Sequence, residues 1–325
     1  MIVPLYWAEA SARHRDAKRQ LTLRRFGWSD QSQADAQAQA EARVAEAMQR
    51  ALSGETLPKR EPRVGYNGAK GVPIREEIVD RSGETVITRN SYGARCLNTP
   101  NVLFADIDFP VKPPLRWTLL VMAALLPLAL WGGRWLGAKG WMIAFALLAL
   151  ILSGALARWL FGAWLRASGG AEQQARRRVL AYANAHPEAG LRLYRTPAGL
   201  RVLLTHRLFD PDEPAVDECF KALRVDPLYA RMCRHQHCFR ARVSAKPWRI
   251  GIQQHMRPRP GVWPVAPERL PLRQAWIEAY EAKAQGFAAC RWIETLGSTA
   301  AHPDVVPVLA WHDALCQATQ SLPLA

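Results

Sequence analysis

Apolar positions along this chain gather into two unbroken runs, residues 117–133 and 141–157, each 17 residues long and free of charge. A seven-residue connector, 134–140, separates them. A bilayer core needs roughly 20 residues of helix, with about 17 as a lower limit, and both runs reach that once their flanks are included. Neither shows the 3.6-residue polar face of a helix that lies on a soluble core. Pro127 fits a membrane span, where neighbours satisfy the carbonyl it frees. Trp117, Trp131, Trp135, Trp141, Trp159 and Trp164 cluster at the ends, as an interfacial aromatic belt does. The pattern therefore predicts a transmembrane helical hairpin.

Only Arg134 and Lys139 lie in the connector, whereas Lys112 and Arg116 precede the hairpin and Arg158, Arg166 and Arg176 to Arg178 follow it. The positive-inside rule then puts both long flanks on the cytoplasmic side. The expectation is a multi-pass protein of a bacterial-type inner (plasma) membrane with both termini cytoplasmic. The opening MIVPLYWAEASARHRD lacks the apolar core of a signal peptide, which leaves the hairpin as the targeting signal.

Outside the hairpin, shorter periods alternate. Strands are predicted over 2–7 and 21–28. A long Ala-, Gln- and Glu-rich helix follows, capped by Ser29 or Asp30 and stopped by Gly54. A loop over 59–73 contains YNGAKGVP, and IREEIVDRSGETVITRN predicts a hairpin turning at Ser82-Gly83. The strand NVLFADIDF ends at Pro110. Beyond the apolar runs come a basic helix over 171–185 and a β-hairpin, 191–194 and 200–205, around Pro197-Ala198-Gly199. A short helix over 217–223, a strand over 238–244, an irregular proline-rich stretch over 258–271 and two or three helices over 273–320 complete the chain. The sum is an α+β fold: a cytoplasmic domain of mixed sheet and helix with an inserted two-helix hairpin. It divides into regions 1–114, 115–165 and 166–325. Strands on both sides of the hairpin predict that the two flanks pack together.

The formal net charge is +15 at pH 7, with most of the excess after the hairpin. Such a field suits anionic lipid headgroups or nucleic acid, so the expected partners are the lipid bilayer and a nucleotide or nucleic acid. Six cysteines without paired spacing, on segments assigned to the cytoplasm, predict reduced thiols.

The most suggestive chemistry lies in Phe104-Ala105-Asp106-Ile107-Asp108-Phe109. Residues two apart on a strand share a face, and two carboxylates there repel unless a cation lies between them. Oxygen ligands at that spacing suit Mg²⁺ or Mn²⁺; the plainer reading is a solvated strand end paired with arginines. Downstream stand the glycine-turn strand Gly199-Leu200-Arg201-Val202, the acid Asp226, and Phe239-Arg240-Ala241-Arg242-Val243-Ser244-Ala245-Lys246. In this order the segments resemble the archaeo-eukaryotic primase and primase-polymerase superfamily, over about a fifth of the chain. The resemblance implies an RRM-like sheet on which Asp106, Asp108 and Asp226 hold the metal. Arg201 stands where the family has a histidine, His206 falls later in the strand, and an inserted hairpin departs from the family pattern. A guanidinium matches phosphate oxygens, which makes Arg201, with Arg240, Arg242 and Lys246, the candidate phosphate-binding set.

Cys233-Arg234-His235-Gln236-His237-Cys238 packs four possible zinc ligands together, but without a second knuckle it reads as a reduced, partly buried loop. Gly68-Ala69-Lys70-Gly71 is too short to count as a phosphate loop. Trp248 in KPWRIG suits base stacking or, more commonly, burial. Two functions follow: a membrane-anchored, primase-like module that binds nucleotide or nucleic acid, or a membrane-anchored scaffold without catalysis.

Overall fold

The computed structural model describes the chain except residues 18, 19, 62–72, 138 and 260, and the side chain of Lys139. The loop motif YNGAKGVP and the short Gly68 to Gly71 stretch fall largely or wholly outside the described residues. The fold is mixed α+β, with two helices long and apolar enough to cross a membrane.

Strands β1 (Tyr6–Arg15) and β2 (Gln20–Ser29) form an antiparallel ribbon. The first strand thus begins where the predicted one ends. Its polar half, from Glu9 to Arg15, pairs with β2 although its alternation is weak in sequence. Helix α1 (Gln33–Leu52) lies on this ribbon through Ala36, Ala40, Val44, Ala47 and Ala51. That alanine face lets helix and strand approach closely. A Cβ on Gly27 would stand 2.1 Å from the Ala36 carbonyl oxygen, so only glycine fits there. The cap is Ser32, whose hydroxyl accepts from the Asp35 N–H at 3.0 Å. Ser29 instead closes the turn before it, accepting from the Gln31 N–H, and Asp30 accepts from the Leu5 N–H ahead of β1.

Two four-stranded antiparallel sheets form the centre. One runs β3 (Glu77–Ser82), β4 (Thr85–Arg89), β5 (Arg95–Thr99) and β9 (Phe239–Arg242). The other runs β10 (Arg291–Gly297), β7 (Gly190–Thr196), β8 (Gly199–Leu204) and β6 (Phe104–Asp108). Each sheet takes strands from before and after the apolar helices, since β5 pairs with β9 and β6 with β8. Ser82 pairs with Thr85, so the first hairpin turns on Gly83-Glu84, one residue later than predicted. Strand β10 replaces part of the helix expected over 273–320.

Helices α2 (Leu115–Trp135) and α3 (Lys139–Ala167) pack side by side. Both extend beyond the apolar runs, α3 by a further polar-edged stretch that carries Arg158 and Arg166. At the connector end a Cβ on Gly133 would lie 2.5 Å from the Met142 Cα, so glycine brings the two backbones together. At the other end Trp117, Phe161 and Trp164 form a ring cluster, Trp117 lying 5.5 Å from Phe161. Leu120 and Ile151 remain 68% and 74% exposed. An apolar surface of that extent marks a membrane or partner surface.

Helices α4 (Gly170–Ala185), α5 (Pro214–Leu223), α6 (Pro227–Gln236) and α8 (Val305–Cys316) share one buried apolar cluster with both sheets. Helix α7 (Leu270–Ala284) builds a smaller cluster through Tyr280 and Ala284 with Ala245 and Ile250.

Candidate functional site

The two sheets meet edge to edge. Strand β6 ends one sheet and β9 the other, and α6 wedges between them. Its Tyr229 hydroxyl donates to the Phe104 carbonyl of β6 at 2.9 Å and accepts from the Arg240 N–H of β9 at 3.3 Å. One buried phenol thus closes a seam between two edges that would otherwise leave backbone groups unpaired. Burial pushes that phenol well above its ordinary pKa.

A cavity of about 440 Å³ opens along the seam. Asp106 and Asp108 enter it from β6, Arg201 from β8, Arg240 and Arg242 from β9, Lys246 from the following loop, and Asp226 from the head of α6. All seven residues singled out in the sequence therefore reach one cavity. They divide there into two groups.

The first group forms the inner wall. Asp106 and Arg201 are cross-strand neighbours in register, and the buried guanidinium grips both carboxylate oxygens, Nε to Oδ1 at 2.7 Å and Nη2 to Oδ2 at 3.0 Å. Its Nη1 donates to the Arg242 carbonyl at 3.0 Å and lies 3.2 Å from His312 Nε2. Burial opposes the Arg201 charge, but the Asp106 carboxylate outweighs it and raises the guanidinium pKa further. Arg240 is likewise buried and paired with Glu76, which also accepts from the Thr88 hydroxyl at 2.6 Å. The side chains of Arg201 and Arg240 are thus engaged within the wall, and both oxygens of Asp106 already accept from Arg201.

The second group stands at the mouth. Among the described residues Asp108, Asp226, Arg242 and Lys246 make no ion pair. Asp226 caps α6, accepting from the Leu228 N–H at 3.1 Å, with Pro227 in the first helical turn. Asp108 titrates above the ordinary carboxylate range because it is partly desolvated and because the Asp106 and Asp226 charges face it; Lys246 and Arg242 oppose the shift. Lys246 is lowered, first by desolvation and then by Arg242 and Arg249. The mouth therefore holds charges of both signs that act on one another without a direct ion pair among the described residues.

Beside it lies an aromatic ledge. Tyr92 lines the cavity and meets Trp248 edge to face, ring centroids 5.2 Å apart. Lys246 Nζ sits 5.4 Å from the Trp248 ring. Trp248 is 49% exposed, and burial raises the Tyr92 hydroxyl pKa to about 12.

Among the described residues the three acids do not draw their oxygens within 4.8 Å of one another. This geometry does not make an all-protein metal cage. It fits the mode of Mg²⁺, which usually takes one or two carboxylates and completes its shell with water and phosphate oxygens. Asp108 and Asp226 are the carboxylates with room for that role.

Sequence reasoning missed Glu76, Tyr92, Tyr229 and His312. Glu76 lay in a predicted hairpin as an ordinary polar residue. The Asp226-Pro227 pair was a readable helix start, and it would have placed Tyr229 on α6. The ligands at 233–238 do not gather: Cys233 and Cys238 are buried, whereas His237 turns outward to pair with Asp212 at 3.0 Å. No family model, no curated protein and no solved structure matches this chain.

Proposed function

We propose that this chain is a membrane-anchored protein whose extramembrane domain binds a nucleotide-type phosphorylated ligand, together with a divalent cation, in the seam cavity. The α2–α3 pair is the anchor. The connector carrying Arg134 and Lys139 lies on the outer side and both flanks lie in the cytoplasm, as the distribution of basic residues favours. Arg242 and Lys246 take the phosphates. Asp108 and Asp226 offer oxygen ligands to Mg²⁺ or Mn²⁺, which would screen the phosphate charge between them. Tyr92 and Trp248 provide a stacking surface for a base. Arg201 and Arg240 position the wall by holding Asp106 and Glu76.

One observation carries this reading. Four charges of mixed sign, drawn from distant parts of the sequence, stand half-open at one cavity, and among the described residues none of them is drawn into a direct ion pair. Unpaired charges in a partly desolvated site are costly, and an anionic ligand with its cation complements both signs at once.

The test is isothermal titration of the detergent-solubilised full chain with a nucleoside triphosphate, with and without Mn²⁺. Binding should depend on Mn²⁺ and weaken at least about tenfold, about 1.4 kcal/mol, in the Asp108→Asn/Asp226→Asn variant. Asparagine at 226 retains a capping oxygen, so the fold of α6 is spared. Equal binding by the variant, or no binding by the folded wild type, overturns the proposal and leaves a membrane-anchored interaction domain.

A further inference from the structure

Behind the inner wall, separate from the cavity, a second set of chemical groups converges. Cys290 lies just before β10, and His312 and Cys316 stand four residues apart on one face of α8. All three are fully buried. His312 Nε2 is 3.5 Å from Cys316 Sγ and 3.9 Å from Cys290 Sγ, and the three donor atoms lie within 4.8 Å of one another. We propose that Cys290, His312 and Cys316 form a buried two-thiolate, one-imidazole site for a thiolate-binding divalent metal ion, with zinc as the test ion.

The spacing suits that ion. With Zn–S near 2.3 Å and Zn–N near 2.0 Å, sulfur and nitrogen at two corners of a tetrahedron are about 3.5 Å apart. The surroundings of the histidine suit it as well. His312 Nδ1 lies 3.0 Å from Asp313 Oδ1, and Asp313 in turn accepts from the Tyr194 hydroxyl at 2.7 Å and from Arg192 at 2.6 Å. A carboxylate on the far ring nitrogen fixes the tautomer that leaves Nε2 as the donor, as in most metal-bound histidines. The Arg242 carbonyl oxygen lies 3.9 Å from Cys316 Sγ and accepts from Arg201 Nη1 at 3.0 Å, so the protein supplies three ligands and leaves the fourth position to a small exogenous donor such as water.

Charge closes as well. On binding, the two thiols release their protons to solvent, and the resulting thiolates neutralise a divalent ion. The neighbouring charges are already matched, Arg201 with Asp106 and Arg192 with Asp313, so the occupied site adds no net charge to the interior. The Arg201 Nη1 contact with His312 Nε2 is given up, while Arg201 keeps both Asp106 oxygens and the Arg242 carbonyl. The other cysteines, Cys96, Cys219, Cys233 and Cys238, are buried free thiols outside any such three-ligand group among the described residues.

The experiment uses the full chain, purified in detergent under reducing conditions without chelator. Elemental analysis should find about one zinc per chain. Replacement by Co²⁺ should give thiolate-to-cobalt charge transfer and the intense visible bands of a tetrahedral site. Cys316→Ser should weaken binding at least tenfold, whereas Cys233→Ser should leave it unchanged. The cobalt spectrum of the folded wild type keeps the test valid if Cys316→Ser fails to fold. A folded, reduced protein with no zinc and no cobalt–thiolate band overturns the proposal, as does a Cys290–Cys316 disulfide in its place.

Discussion

The inner wall and the mouth of the seam cavity use the same residue types for opposite ends. Within the wall, Arg201 and Arg240 are buried and bound to Asp106 and Glu76. At the mouth, Asp108 and Arg242 at the strand ends, Asp226 at the head of α6 and Lys246 in the loop after β9 lack such partners among the described residues. Asp106 and Asp108 make the contrast sharpest. They share a face of β6, yet one is held by two hydrogen bonds and the other is exposed and raised in pKa. Register decides which is which, because Asp106 faces Arg201 across the ladder and Asp108 faces Gly199, which has no side chain to offer. A charge pattern in sequence therefore says little until the cross-strand partner is known.

The largest effect should come from breaking the wall. Asp106→Ala leaves the Arg201 charge buried without a counter-ion and should cost about 3–5 kcal/mol in denaturant unfolding followed by tryptophan fluorescence. Replacing both partners by apolar residues, Asp106→Leu with Arg201→Met, should recover much of that loss. Unchanged stability in Asp106→Ala would erase the distinction between wall and mouth.

Next comes the seam itself. Tyr229→Phe orphans the Phe104 carbonyl and the Arg240 N–H together, and unfolding should become easier by about 2 kcal/mol. The same melts check it, and a loss near zero would mean that the two sheet edges do not depend on the phenol.

At the mouth the balance reverses. Arg242→Met and Lys246→Met should each change stability by no more than about 0.5 kcal/mol while weakening nucleotide binding at least about tenfold. Titration calorimetry beside thermal melts separates the two readouts.

The smallest effect concerns pH. The folded chain holds the Asp108 proton more tightly than the unfolded chain does. That contribution favours the fold below the ordinary value of 3.8 and is lost as pH rises through the raised value. Asp108→Asn should accordingly match or slightly exceed the wild type at pH 7, by at most about 0.5 kcal/mol given the exposure of the group. The gain should vanish in acid. A wild type that is more stable than the variant at pH 7 would place Asp108 in the wall instead.

The apolar helices were legible because two runs of 17 residues without charge leave few alternatives. The hairpin around Pro197-Ala198-Gly199 and helix α4 followed from turn chemistry and basic-helix patterning. The Asp106, Asp226 and Arg242 positions were legible as charged residues on short elements, but their partners were not. Tyr229 lies on a helix whose Asp226-Pro227 start was readable but whose contact with Phe104 and Arg240 was not, and β10 was absorbed into a helical tail because Arg291 to Gly297 lacks alternation. His312 and Cys316, four apart in an apolar helix, carried a readable ligand spacing. Cys290 could join them only through tertiary structure.

The most direct test is a crossed comparison of Asp106→Asn and Asp108→Asn, measuring unfolding free energy and Mn²⁺-dependent nucleotide affinity for both. The account predicts that Asp106→Asn loses stability, and that Asp108→Asn keeps stability and loses affinity. Stability lost at 108, or metal-dependent affinity untouched there, would contradict the assignment of wall and mouth.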